Sequence, residues 1–243
     1  MSLKKHILNF LFPNRCPVCS AVLPPDELLC GECAEKILLD FEEFCHVCGK
    51  INCVCKVRAL SYDKAVICSA YAEEAIPAVI HMKESRNTNF ARFSGQIMAE
   101  RIRNSLIYYG EYDCIIPVPM HPTKQRKRGY NQATLIAQEM ANRLEIPVRE
   151  DVLYKNRTRH AQHQLNAEER HLNAFSFGIH DISVEGLKIL VCDDVLTTGS
   201  TLSRCAELLK SKGAVSVTVA SATTTPPKNW KHPKRKTKEE FST

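Results

Sequence analysis

Ile189-Leu190-Val191-Cys192-Asp193-Asp194-Val195-Leu196-Thr197-Thr198-Gly199-Ser200-Thr201-Leu202 decides the fold of this 243-residue chain. The apolar run from Lys188 to Cys192 predicts a buried strand, and two adjacent carboxylates close it. A hydroxyl- and glycine-rich turn follows, and a helical pattern then runs from Thr201 to Lys212. Strand, turn and helix in this order make an anion cradle. The turn offers backbone N–H groups, hydroxyls and the positive end of a helix dipole, and Gly199 lets the backbone approach its ligand. A solvated turn or a plain helix cap would need only one Ser, Thr or Asp, whereas this segment stacks two acids, four hydroxyls and a glycine. A P-loop would close on Gly-Lys-Ser/Thr, and no such lysine follows Gly199.

Working outward, strands and helices alternate. Ala65 to Tyr71 reads as a strand, and Glu73 to Lys83 and Phe90 to Tyr109 read as helices. Cys114 to Val118 predicts a short buried strand, Asn131 to Leu144 a helix, and Val215 to Ala220 a last strand after a C-cap at Gly213. Such alternation predicts a parallel α/β sheet with helices on both faces and ligands at the carboxyl ends of the strands.

A second constellation follows the Cys114 strand. Ile116-Pro117-Val118-Pro119-Met120-His121-Pro122 makes a stiff turn, and Lys124, Arg126, Lys127 and Arg128 then form a basic loop ahead of Gly129-Tyr130-Asn131-Gln132. Cations opposite an acid-and-hydroxyl turn suit a pyrophosphate group, although a charge run taken alone is usually a solvated face.

Eight of the twelve cysteines fall between residues 16 and 55 as Cys16-x2-Cys19, Cys30-x2-Cys33, Cys45-x2-Cys48 and Cys53-x-Cys55. Pairs at this spacing aim two thiolates at one tetrahedral metal, so zinc is expected, with Gly49 favouring the knuckle turn. Zinc would supply folding energy that this apolar-poor segment lacks. One site from Cys16, Cys19, Cys30 and Cys33 with a second from Cys45, Cys48, Cys53 and Cys55 is one grouping, and interleaved pairs are equally allowed. The second set is cramped. Disulfides are the alternative, disfavoured by the lack of a secretion signal. Cys68, Cys114, Cys192 and Cys205 lie in apolar patterns and read as core.

The chain is 44% hydrophobic and 25% charged, enough for a good core and not the composition of a disordered protein. Of the net charge of +6, the six cations from Lys228 to Lys238, against Glu239 and Glu240, hold +4, so a near-neutral body carries a basic, mobile tail. The apolar stretch Ile7 to Phe12 is too short for a signal peptide and reads as a short helix, with weak peripheral membrane contact as a lesser alternative. No apolar run is long enough to span a bilayer, and a cytoplasmic protein is expected.

The Asp193 to Thr201 segment resembles the binding motif of the type I phosphoribosyltransferases, whose ligand is 5-phosphoribosyl-1-diphosphate (PRPP). The whole order of features up to about Thr225 resembles the ComF family, competence-associated proteins that join a cysteine zinc module to such a domain. The resemblance rests on the paired cysteines, Ile115 to Pro119, Lys127 to Gln132, Gln162-x-x-Leu165 with Glu169-Arg170 and Asn173 to Phe175, and Asp193 to Thr201. Family members usually have a threonine three residues before the glutamine, where this chain has Arg159.

The resemblance implies a type I phosphoribosyltransferase-like parallel sheet flanked by helices over residues 61–225, a small zinc-ribbon module over 1–60 and a disordered basic tail over 226–243. It implies a glycosyltransferase-class enzyme of unknown acceptor, or alternatively a non-catalytic, PRPP-responsive nucleic-acid adaptor. Asp193 and Asp194 would hold the ribose hydroxyls. Thr197, Thr198, Gly199, Ser200 and Thr201 would wrap the 5′-phosphate, Val195 and Leu196 would also belong to the PRPP-binding set, and Val118, Pro119 and Met120 would make the pyrophosphate turn through a strained peptide. Lys124, Arg126, Lys127 and Arg128 would close over the leaving group, with Mg²⁺ alongside PRPP and structural Zn²⁺ in the ribbon. The implied partners are single-stranded DNA and other DNA-uptake or recombination proteins, and the implied role is natural transformation.

Overall fold

Alternating burial drives the central strands. In β1 (Lys64–Ala70), Val66 and Cys68 face one side while Ala65 and Ile67 face the other. In β5 (Lys188–Leu196), Leu190 and Cys192 likewise oppose Ile189 and Val191. A strand buried on both faces must be covered on both, and this one is. The computed structural model describes residues 13–85, 87–108, 110–156 and 176–231.

The sheet is parallel, with order β1, β6 (Ser216–Thr224), β5, β2 (Cys114–Pro117), and Val148 adds a single parallel bridge beyond Ile115. One face carries α2 (Ile76–Glu84), α3 (Asn89–Asn104) and α5 (Gln132–Leu144). The other carries α6 (Ser200–Ser211) and the antiparallel ribbon β3 (Leu153–Lys155) with β4 (Phe177–Ile179). The expected α/β sheet covered on both faces is therefore present.

The differences from the sequence reading are local. Strand β5 does not stop at Cys192 but pairs with β6 as far as Leu196 and Thr224. Asp193 and Asp194 are therefore strand residues. Between Pro122 and Arg128 the expected basic loop is a helix, α4. Pro122 sits at its start, His121 Nδ1 accepts from the Thr123 amide, and Gly129 closes it with φ of +91°. The helix predicted from Glu73 begins at Ile76, and the one predicted to reach Tyr109 ends at Asn104, followed by a 3-10 turn over Leu106–Tyr108.

Cysteine-rich residues wrap the open edge of β1. Leu38 forms an antiparallel bridge to Ser69, and the Ala65 amide donates to the His46 carbonyl at 2.7 Å. An edge strand that would otherwise show unpaired backbone is thereby covered. Cys16, Leu23, Leu29, Cys33 and Ile37, the last two on α1 (Gly31–Ile37), join the core on the α3 face, whereas Leu39, Phe44 and Tyr62 join it on the α6 face. Cys68, Cys114, Cys192 and Cys205 are all buried core. Trp230 packs against the α6 face, seating the first residues of the segment expected to be a mobile tail. Residues 1–12, Arg159 with the 162–175 motifs, and the basic tail past residue 231, for which the sequence carries expectations, lie outside the described residues.

Candidate functional site

Strand β2 ends at Pro117 opposite Cys192, while β5 runs four residues further. Asp193 and Asp194 therefore stand at the carboxyl end of the sheet with no strand on the β2 side. The chain leaves β2 through α4 and α5, on one face and toward Val148, and leaves β5 through α6, on the other face and toward β6. Connections that part in opposite directions open a crevice between these two strands, the place where α/β sheets hold ligands.

The two acids differ in surroundings. Asp194 Oδ2 pairs with Lys83 Nζ of α2 at 2.9 Å, and its amide donates to Asp193 Oδ1 at 2.8 Å. Although part of the Asp193 residue meets solvent, its carboxyl is enclosed, and burial first and the Asp194 charge second push its pKa up to about 8. Lys155 of β3 is close enough to Asp193 and to Lys124 for both charges to act on it, and burial lowers its pKa. Its ammonium also lies 4.5 Å from the centre of the Phe177 ring.

The turn after β5 is held from within. Gly199 has φ of +78°, and an added Cβ would stand 3.1 Å from the Tyr62 hydroxyl oxygen. Thr198 Oγ1 and Ser200 Oγ lie 2.9 Å apart, and the Ser203 amide donates to the Gly199 carbonyl. Thr197 is exposed, Thr198 and Thr201 are half-buried and Ser200 is buried. Val195 and Leu196 turn toward the two core faces.

On the β2 side the Val118 amide donates to the Cys192 carbonyl at 2.8 Å, and Asn131 Nδ2 donates to the Val118 carbonyl at 2.9 Å. Pro119 and Met120 follow, half-buried. No peptide bond among the described residues is cis, and Val118, Pro119 and Met120 are not among the residues with positive φ. In α4, Lys124, Arg126 and Lys127 are exposed and Arg128 half-buried. Lys124 reaches the field of Lys155, but no contact among the described residues brings Arg126, Lys127 or Arg128 to the acid pair.

Tyr130 and Gln132 both donate to the Met82 carbonyl, next to Lys83, and Asn131 caps α5. Lys83, Lys155, Lys50 and Arg58 escape a reading by motif. Lys50 and Arg58 reach the turn from sequence separations of 147 and 140 residues.

The cysteines gather sequentially, Cys16, Cys19, Cys30 and Cys33 in one cluster and Cys45, Cys48, Cys53 and Cys55 in another, with each set of sulfurs within 4.8 Å. Sulfurs of Cys19 and Cys30 lie 3.7 Å apart, of Cys30 and Cys16 3.8 Å, and of Cys45 and Cys55 3.7 Å. A tetrahedron with ~2.3 Å zinc–sulfur bonds has edges of about 3.8 Å, so both clusters fit the ion, and all these thiols are free of disulfides. Gly49, at φ of +72°, closes the second knuckle. No helix among the described residues is long and apolar enough to cross a membrane.

The family comparisons agree with this geometry. A double zinc ribbon domain matches residues 7–72 and a phosphoribosyl transferase domain residues 130–242. The chain is 28% identical to competence protein F of Haemophilus influenzae over 78% of its length and 82% of that protein's. It is 27% identical to the DNA utilization protein YhgH of Escherichia coli K12, covering 84% and 87% of the two chains. With competence protein ComFC of Bacillus subtilis the identity is 27%, over 79% and 82%. By these two domains in this order, and by similarity along most of each relative, the chain is a homologue of competence protein F, ComFC and YhgH.

Proposed function

We propose that the chain binds PRPP with Mg²⁺ at the crevice between β2 and β5 and serves DNA uptake by handling incoming single strands. The observation that carries the reading is the turn from Thr197 to Thr201, separated by two residues from the Asp193–Asp194 pair at the end of β5 and facing the crevice that α4 flanks on the β2 side. Ribose hydroxyls would donate to Asp193 and Asp194, displacing Lys83 from Asp194. The 5′-phosphate would take the turn's amides and hydroxyls, and the pyrophosphate would lie against Val118 to Met120, with Lys124, Arg126, Lys127 and Arg128 above it. Mg²⁺ would neutralise pyrophosphate and ribose oxygens. Displacement at the anomeric carbon passes through a cation-like state, so the residues' task is to stabilise the departing anion and exclude water, with no Cys or Ser nucleophile. The role in transformation rests on the names of the relatives and on their similarity to this chain.

The exposed cations of α4 favour a second reading, a PRPP-responsive adaptor that grips a strand without turnover, with steep salt dependence. Calorimetric titration of the zinc-loaded protein with PRPP and Mg²⁺, repeated with Asp193→Ala plus Asp194→Ala, tests the common step. Binding lost in the double variant is expected, and equal binding by both proteins removes the assignment. Pyrophosphate released on adding a base or single-stranded DNA selects the enzyme, and salt-sensitive strand binding without release selects the adaptor.

A further inference from the structure

The second cysteine cluster touches the phosphate turn directly. Lys50, two residues past Cys48, donates to the Thr197 carbonyl at 2.8 Å and to the Thr225 carbonyl at 2.7 Å. Arg58, three past Cys55, donates through one nitrogen to the Thr198 carbonyl at 2.7 Å and through the other to Ser200 Oγ at 2.6 Å. Between them the Tyr62 hydroxyl, which fills the space in front of Gly199, donates to the Cys48 carbonyl.

A peptide group is planar with its N–H opposite its C=O. Holding the Thr197 carbonyl therefore turns the Thr198 amide away from Lys50, and holding the Thr198 carbonyl turns the Gly199 amide away from Arg58. Among the described residues neither amide donates a hydrogen bond. Without the two cations these peptide planes would be free to rotate, since Gly199 allows it.

We infer that Lys50 and Arg58 are positioning residues for the anion turn, through which the second zinc ribbon fixes the Thr198 and Gly199 amides toward the 5′-phosphate. The inference rests on the PRPP reading only for the identity of the ligand. The ribbon thus acts as the back wall of the site. Arg58 adds a permanent positive charge behind Ser200, whose hydroxyl it orients.

The test compares zinc-loaded wild type with Arg58→Met and Lys50→Met, reading zinc per chain, hydrogen exchange of residues 197–203, and binding of PRPP, ribose 5-phosphate and Mg²⁺-pyrophosphate. Zinc content should be unchanged and exchange in the turn faster. Affinity for PRPP and ribose 5-phosphate should fall about ten- to a hundredfold, the effect of losing charged hydrogen bonds, with pyrophosphate binding retained. Unchanged exchange and affinity overturn the inference, as does an equal loss for all three ligands, which marks general damage. Should Arg58→Met not fold, Arg58→Lys keeps the charge, loses the forked pair of donors, and takes the same readings. If the wild type binds neither sugar phosphate, the PRPP reading fails while exchange in the turn still decides the brace.

Discussion

Two cysteine clusters with the same four donors lean on different parts of the molecule. The first is rooted in the core: Cys16 and Cys33 are buried, and they join the apolar cluster of α2, α3 and α5. It holds the helix layer through His81 Nδ1, 2.8 Å from the Pro17 carbonyl, and through Asn87 and Asn89, which donate to the Arg15 carbonyl. The second cluster has Cys53 and Cys55 exposed, and the neighbouring Lys50 and Arg58 reach the turn at the carboxyl edge of the sheet. One metal module can therefore be a foundation and the other a clamp, with the acid pair between them.

Removing each metal in turn should show the largest contrast. Structural zinc binding contributes about 10 kcal/mol in small zinc modules, comparable to the whole stability of a domain, so Cys16→Ser plus Cys33→Ser should leave no cooperatively folded protein. Cys53→Ser plus Cys55→Ser should keep a cooperative urea transition while the turn over residues 197–201 loses exchange protection. Two variants that unfold alike would erase the distinction.

The knuckle glycine gives a finer comparison. A Cβ at Gly49 would meet Ala65 Cβ and Leu196 Cδ1 at 3.0 Å on a backbone with positive φ, whereas one at Gly31 meets nothing within 4 Å. Gly49→Ala should cost about 2 kcal/mol, by overpacking and strain at the seam between ribbon and sheet. Gly31→Ala, at the start of α1, should change stability by no more than about 0.5 kcal/mol. Chemical denaturation of the zinc-loaded variants measures both, and equal costs would mean that the ribbon does not rest on β1 and β5 as described. On the foundation side, His81→Ala should cost about 1 kcal/mol for a lost hydrogen bond and raise exchange in α2 without touching residues 197–203. Faster exchange in the turn would show that the two braces are not separate.

How much of this was legible in the sequence follows the range of the interactions. The core cysteines and the strand–helix alternation, with the glycine turn between β5 and α6, are local patterns, and their structure reads correctly. The end of β5 did not, because Asp193 and Asp194 look like a strand's exit. They stay in the strand because β6 continues beside them with Ser221, Thr223 and Thr224, all buried polar residues that no apolar period announces. Helix α4 was missed for a related reason: its cations carry no apolar stripe, and only Pro122, His121 and Gly129 mark its ends. The pairing of cysteines was open until the fold brought each quartet together. Lys83, Lys155, Lys50 and Arg58 were invisible, since a lone cation in a sequence does not say which distant carbonyl or carboxylate it will meet.

The acid pair between the braces offers the smallest and most specific effect. Lys83, on the helix that the first ribbon holds, faces Asp194, while Asp193 is enclosed and its pKa rises from an ordinary 3.8 to about 8. A carboxyl with a raised folded-state pKa binds its proton more tightly in the folded chain than in the unfolded one. Between about pH 4 and about pH 8 the native state therefore carries the extra proton, and stability must fall as pH rises through that window, levelling above it. Asp193→Asn removes the titration and keeps the shape, so its stability relative to wild type should grow from pH 4 to 8 and then stay constant. Urea midpoints of the two zinc-loaded proteins across that range make the comparison, because titration of the ribbon thiols is common to both and cancels. Parallel curves would mean that the Asp193 carboxyl is ionised throughout, held by solvent and Lys155 and not constrained by its burial beside Asp194. Curves that diverge and then run level identify Asp193 as the group whose ionisation opposes folding, the cost of keeping an acid enclosed at the carboxyl end of the sheet.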